Sequence, residues 1–352
     1  RDFSVHKNSG IKHVGKFLGV VEEGTRTSRG TLTGLDYLVD LGVTHIQLLP
    51  TYDFGSVDEL NQFETYNWGY DPVQYNVPEG SYSTDVHNPY SRIIEMKQMI
   101  AKLHEKGFRV IMDVVYNHMF DRQTSSFENI MPNYYFKLGD NGEISNGSFC
   151  GNDVDSLRPM CRQFIVDSCK MWVKEYGFDG FRFDLMGILD TETMNQIADE
   201  CQAIDASVMV YGEGWNMPSI MPEEAKAMMY NNKKMPKIAH FNDRFGRGIK
   251  GSPFEYEMSD IGYGLGYTGD IDRAMNVVAG SCTDIGMEAL FVEPTMTLNY
   301  VECHDNMTLF DKIMLSNRCE SLETRLKRQK MITALILVSQ GIAFLHAGQE
   351  FN

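Results

Sequence analysis

Residues 109–118, RVIMDVVYNH, place apolar side chains at 110, 111, 112, 114 and 115 around Asp113 and close on Asn117 and His118. A short apolar run that follows a glycine and ends in polar groups reads as a buried strand. Residues 91–107 precede it and read as a helix, with Ile94, Met99, Ile100 and Leu103 near helical spacing and Gly107 as the stop. Before that helix, residues 43–50 (VTHIQLLP) form another strand-like run. Downstream the alternation repeats. Residues 159–177 are helical, with Pro159 at the start and Gly177 at the end, as helix termini prefer. Strands are expected at 178–187 (FDGFRFDLMG), 207–215 (SVMVYGEGW), 237–245 (KIAHFNDRF), 297–306 (TLNYVECHDN) and 342–348 (IAFLHAG), and helices at 191–205 and 322–340.

Strands joined by helical crossovers imply a parallel sheet. An open doubly wound sheet and a closed barrel both fit. No GxGxxG follows a first strand and no phosphate loop occurs, which weighs against an open nucleotide-binding sheet. The fold class expected is therefore α/β, a (β/α)8 TIM barrel. It is expected to be truncated at the start of its first strand, whose end would be Arg1-Asp2-Phe3, and again after the eighth strand. Residues 1–352 are expected to form one catalytic barrel with no separate second domain. Two long irregular stretches, 53–88 and 119–158, leave from strand C-terminal ends. Loops of that length are usually functional, and barrel enzymes keep their sites on that face.

The 352 residues are 43% hydrophobic and 11% aromatic, enough for a large core and for a site that stacks on flat ligands. A formal net charge of −16 argues against nucleic acid as a partner, since phosphate backbones need clustered Lys and Arg. No run approaches the roughly 20 apolar residues of a membrane span, so no membrane partner is expected. The seven cysteines are odd in number and lack CxxC spacing, which favours scattered thiols in a cytoplasmic compartment over structural zinc. Secretion stays an open alternative because the true N-terminus is expected to lie outside the chain.

Polar groups gather at four strand ends: Asp113, Asn117 and His118; Arg182 and Asp184; Glu213; and His304, Asp305 and Asn306. A single acid at a strand end is commonly a solvated turn residue or a helix cap. Four acids on one rim raise each other's pKa, a cost that a purely structural role does not explain. Two chemistries use such a rim, divalent-metal binding and glycoside hydrolysis by paired carboxyls. Arg182 and Asp184 are two apart and share a strand face. A fixed positive charge there opposes a metal ion and favours an ionised carboxylate. No metal ligand set is assigned.

Asp113-Val114-Val115-Tyr116-Asn117-His118, Gly180-Phe181-Arg182-Phe183-Asp184, Gly212-Glu213-Gly214-Trp215 and Val301-Glu302-Cys303-His304-Asp305-Asn306 resemble the four signature regions of the α-amylase superfamily, glycoside hydrolase family 13, in the same order. Tyr66-Asn67-Trp68-Gly69-Tyr70-Asp71-Pro72 is similar to the heptapeptide of type I pullulanases, the starch-debranching members. The resemblance implies a retaining, endo-acting hydrolase of α-1,6-glucosidic bonds in pullulan, branched dextrins, amylopectin or glycogen. It makes Asp184 the nucleophile, Glu213 the acid and base, and Asp305 the stabiliser of the transition state. It requires the two reacting carboxyls about 5–5.5 Å apart. Arg182 would keep Asp184 ionised, and the negative rim would favour a protonated Glu213.

His118 and His304 would bind the glucose at the cleavage site, with Tyr70 stacked beneath it, and Asp71 and Asn306 would also bind substrate. Trp215 would wall the leaving branch. Trp68 would brace its loop or touch substrate, Met186 would line the acceptor side or pack in the core, and Asn152 of Cys150-Gly151-Asn152-Asp153 would reach substrate or belong to a short loop turn. Asp113 and Asn117 would support the site. No cofactor is required; calcium stays an open alternative, although the forty or so residues after the third strand are too few for a full calcium-binding domain. The full-length protein would carry accessory carbohydrate-binding or C-terminal β domains. Competing readings are isoamylase or α-1,4-amylase activity, a metal-dependent barrel enzyme, and a glucan-binding protein without turnover.

Overall fold

The computed structural model describes residues 1–351. The chain divides into two compact units, Arg1–Ala227 and Met228–Asn352. In the first, strands β1 (His45–Leu48), β4 (Arg109–Val114), β5 (Gly180–Phe183) and β6 (Met209–Gly212) pair in that order, all parallel. Between β1 and β4 lies a separate antiparallel pair, β2 (Tyr52–Phe54) with β3 (Pro72–Pro78). The second unit holds β7 (Ala239–Phe241), β8 (Thr297–Asn299) and β9 (Ile342–Ala343), again parallel. All seven expected strands occur, and each is shorter than its apolar run.

Helices Pro89–Glu105, Pro159–Met171 and Thr191–Gln202 are the crossovers of the first unit. Their boundaries are chemical. Asn88 accepts from Tyr90 N and Asp190 from Thr193 N, which satisfies exposed first-turn donors. Pro89 and Pro159 start two of them, and a π-turn at Trp172–Tyr176 closes the second onto Gly177 at φ 79°. In the second unit Phe245, Ile249, Val277, Leu309, Ile313, Ile332 and Ile336 build one core from four helices, Asp243–Ile249, Ile271–Val278, Leu309–Ser316 and Leu322–Val338.

Two expectations are corrected. Arg1-Asp2-Phe3 does not end a strand: Asp2–Val5 is a helical turn closed by Ser4 N donating to Arg1 O. The stretch at 53–88 is not irregular, because it contains the β2–β3 pair and two short 3-10 turns. Register shifts on both sides of Asp53 interrupt the alternation that would have marked the pair in the sequence. Among the described residues no helix is long and apolar enough to cross a membrane.

Candidate active site

Adjacent parallel strands bring Asp113 of β4, Arg182 of β5 and Tyr211 of β6 into one row. The ladder continues one step further, with Asp184 N donating to Val114 O at 3.0 Å and Glu213 N to Phe183 O at 3.0 Å. Both acids are therefore pinned at the C-terminal ends of their strands, on neighbouring positions of the rim.

Arg182 lies at the centre and is 1% exposed. Its Nη1 donates to Asp113 Oδ1 at 3.0 Å and Asp184 Oδ1 at 2.9 Å, and its Nη2 lies 2.7 Å from Glu213 Oε1. Burial works against charge on this guanidinium, and the carboxylates, Asp113 and Glu213 foremost, outweigh it and hold the proton on. Arg182 was expected to single out Asp184. It grips three carboxyls, so it cannot by itself sort nucleophile from acid. Their remaining partners differ: Asn117 Nδ2 donates to Asp184 at both the backbone oxygen, 2.9 Å, and Oδ2, 2.8 Å, whereas Glu213 Oε2 accepts Leu185 N at 3.1 Å.

Leu185 makes that last contact from a left-handed backbone, φ 41° and ψ 48°. A leucine there is strained. The turn ends β5 at once and starts the 3-10 turn Met186–Ile188. The strand alternation that would have put Met186 beside Asp184 thus stops at Phe183. Met186 is fully buried, as the core reading has it.

Tyr70 Oη donates to Asp113 Oδ2 at 2.6 Å, and its ring centroid lies 5.7 Å from the Arg182 guanidinium. Burial, with Asp184 adding to it against Arg182, pushes Asp113 up to about 7. The loop bearing Tyr70 is tied internally. Asn67 Nδ2 donates to Asp71 Oδ1 at 2.8 Å, Asn67 Oδ1 accepts Gly69 N, and Ser56 Oγ donates to Asp71. Asp71 thus organises the loop beside Tyr70. Trp68 Nε1 donates to Tyr66 Oη at 2.8 Å, which braces an exposed indole.

His118 is buried, its Nδ1 is 2.6 Å from Asn117 Oδ1, and burial lowers its pKa against the pull of Asp184. Asn152 is buried as well. Its Oδ1 accepts Met119 N at 3.0 Å and its Nδ2 donates to Met119 O at 2.8 Å. Both ends of the amide thus brace the chain after His118. Trp215 follows the acid by two positions and is half-buried. In the second unit, His304 Nε2 lies 3.5 Å from Asp305 Oδ2. Cys303 Sγ accepts Asp305 N at 3.4 Å. Asp305 and Asn306 are exposed, and Asn306 has φ 62°.

Sequence reasoning missed Leu185, since nothing in a leucine signals positive φ. It also missed Tyr52, whose hydroxyl accepts Val115 N directly beneath the rim. Among the described residues one group of acids offers metal-ligand geometry: Asp53, Glu59 and Glu79, with one ligand atom each within 4.8 Å of the others. Arg92 already pairs with Glu59 at 2.6 Å, and burial raises Asp53 to about 6 and Glu79 to about 7. With one carboxylate paired to a guanidinium and burial favouring the protonated form of the other two, the group is a poor fit for a divalent cation.

Residues 16–352 match the family described as Alpha amylase, catalytic domain. The pullulanase of Bacillus subtilis (strain 168) is 42% identical over 351 residues, which cover 100% of this chain and 49% of that protein. The crystal structure of the pullulanase from Anoxybacillus sp. LM18-11 complexed with maltotriose, 50% identical, superposes with a TM-score of 0.96 over 100% of this chain and 49% of that one. That of pullulanase type I from Bacillus subtilis str. 168 complexed with maltose gives 0.97 at 42% identity, over 100% of this chain and 49% of that one. Isoamylase SU1 of Zea mays is 35% identical over 196 residues, 54% of this chain and 23% of that protein. The chain thus spans about half the length of the Bacillus subtilis and Anoxybacillus pullulanases it matches.

Proposed function

The chain belongs to the alpha-amylase catalytic-domain family, and on that premise we propose that it hydrolyses α-1,6-glucosidic bonds in pullulan and branched α-glucans with retention of configuration. The observation that carries this reading is the Arg182 fork, which holds Asp184 and Glu213 on one guanidinium above Tyr70. A shared fork favours the close carboxyl spacing of a retaining pair, about 5–5.5 Å, over the wider gap an inverting pair needs for its water.

Asp184 is the nucleophile. Asn117 and Arg182 aim its carboxylate, and it attacks the anomeric carbon to form a glycosyl-enzyme. Glu213 gives a proton to the leaving oxygen and later takes one from the water that releases the sugar. The family resemblance gives Asp305 the role of the third acid, which grips hydroxyls of the distorted ring as positive charge develops; His304 Nε2 lies 3.5 Å from its Oδ2. Tyr70 presents a planar ring to the apolar face of that glucose. Only water is consumed, so no cofactor is called for. The pullulanases that match along the whole chain support α-1,6 specificity; the isoamylase covers little more than half of it.

Product analysis on pullulan tests the reading. Maltotriose is the expected product, and Asp184→Asn should lower kcat by at least about 10³-fold while maltotriose still binds. A protein that cuts amylose but leaves pullulan intact would overturn the proposed specificity. Activity abolished by EDTA and restored by magnesium would support a metal-dependent mechanism instead.

A further inference from the structure

We propose that Phe254 and Tyr256, with the segment that follows Asp305, form a second sugar platform on which Tyr256 stacks against a glucose unit of the bound glucan. The proposal rests on the glucan-hydrolase reading and extends it to a surface lying wholly within the second unit. Tyr256 is 80% exposed, yet its ring is not free to wander. It lies flat on Phe254, with centroids 5.2 Å apart and planes 7° from parallel. Beneath Phe254 the Arg247 guanidinium lies 5.8 Å from the ring centroid, and Arg247 Nε in turn donates to Asp243 Oδ2 at 2.9 Å. The turn carrying both rings is tied by Ser252, whose Oγ accepts Phe254 N at 3.3 Å and donates to Glu257. An aromatic face held open to water on a rigid base loses little freedom when a ligand covers it.

The stack lines an open groove of about 420 Å³ with Glu255, Asn306, Met307 and Asp311. That volume falls in the range of small-molecule clefts, about 300–1,000 Å³. A flat apolar ring rimmed by an amide and two carboxylates matches a pyranose, which offers one C–H face and a belt of hydroxyls. The same carboxylates would repel a phosphate or a nucleotide. The groove is also fixed to the backbone of the third acid. Met307 N donates to Pro253 O at 3.3 Å, and Lys250 Nζ donates to Met307 O at 3.0 Å. A sugar on Tyr256 is therefore held in fixed register with residues 305–307.

Steady-state kinetics on pullulan with the full-length protein, and calorimetric titration of its Asp184→Asn form with maltohexaose, test the platform. Tyr256→Ala should raise KM, and weaken maltohexaose binding, about 3- to 10-fold, the size of one stacking contact, with a smaller change in kcat. Tyr256→Trp should restore both. Tyr230→Ala removes another exposed tyrosine and should change neither. The platform is overturned if Tyr256→Ala leaves KM and binding at parental values, or if Tyr230→Ala weakens them equally. A parent that fails to cut pullulan overturns the hydrolase reading instead, and the maltohexaose titrations then decide the platform alone.

Discussion

In the proposed site, Asp113 and Tyr70 are residues on which the chemistry would depend without their performing it. Asp113 is fully buried and shares Arg182 with Asp184 and Glu213. Its pKa of about 7 puts its charge change in the working range of a hydrolase. The Tyr70 hydroxyl donates to this carboxyl and so favours its ionised form. Tyr70→Phe keeps the ring and removes that donor. A hydrogen bond to a charged group contributes about 1.5–3 kcal/mol, so kcat/KM on pullulan should fall about tenfold or more. The acid limb of the pH–rate profile should also move to higher pH, because the carboxyl then holds its proton longer. A uniform loss with no movement of that limb would mean that the hydroxyl only positions the ring. Asp113→Asn should abolish the limb that Asp113 contributes, and the same profiles read this.

At the scale of elements, the acids were legible because parallel strands end where apolar runs meet polar residues. Asp113, Arg182, Asp184 and Glu213 all stand at such junctions, and strand pairing does the rest. Their partnerships were less legible. That Asn117 clamps Asp184 depends on how far each strand runs, and the strands stop several residues short of their apolar patterns. The β2–β3 pair escaped notice because its strands flank the long loop that carries Tyr70, and its register is irregular. Gly69 of that loop was readable only as a motif member. In the structure it sits at φ 94°, and an added Cβ would meet Pro50 Cβ and O at 3.0 Å. Gly69→Ala should therefore strain the turn by about 1–2 kcal/mol. The expected result is a lower melting temperature and a raised KM for pullulan, with the loss concentrated in KM because Tyr70 is displaced. Unchanged KM in a destabilised variant would show that the turn does not place Tyr70.

For the molecule as a whole, an acidic chain that buries carboxyls should be sensitive to pH in a direction that follows from the sign of each shift. Glu79 makes the cleanest test because it lies outside the reacting acids. Burial, with Glu59 adding to it, raises its pKa to about 7 from 4.5, although Ser81 and Phe54 N–H groups pull the other way. A folded-state pKa above the unfolded one gives stability that is fully present below about 4.5 and is lost as pH rises through about 7. Asp53 and Asp113 act in the same sense. His118 and His240, whose pKa values burial lowers, act in the opposite sense below the ordinary histidine range and blur the total. The informative quantity is thus the difference between one variant and its parent. Glu79→Gln loses one of the two backbone N–H contacts its oxygens accept, from Phe54 and Ser81, and that cost does not vary with pH. It also removes the buried charge that forms in the parent between pH 5 and 8. The melting temperature of Glu79→Gln relative to the parent should therefore climb from about pH 5 to about 7 and level off above it, measured by scanning calorimetry at matched ionic strength. A difference that stays flat with pH would mean that Glu79 titrates alike in the folded and unfolded chain, and that Arg92, which pairs with its neighbour Glu59, compensates the acidic group completely.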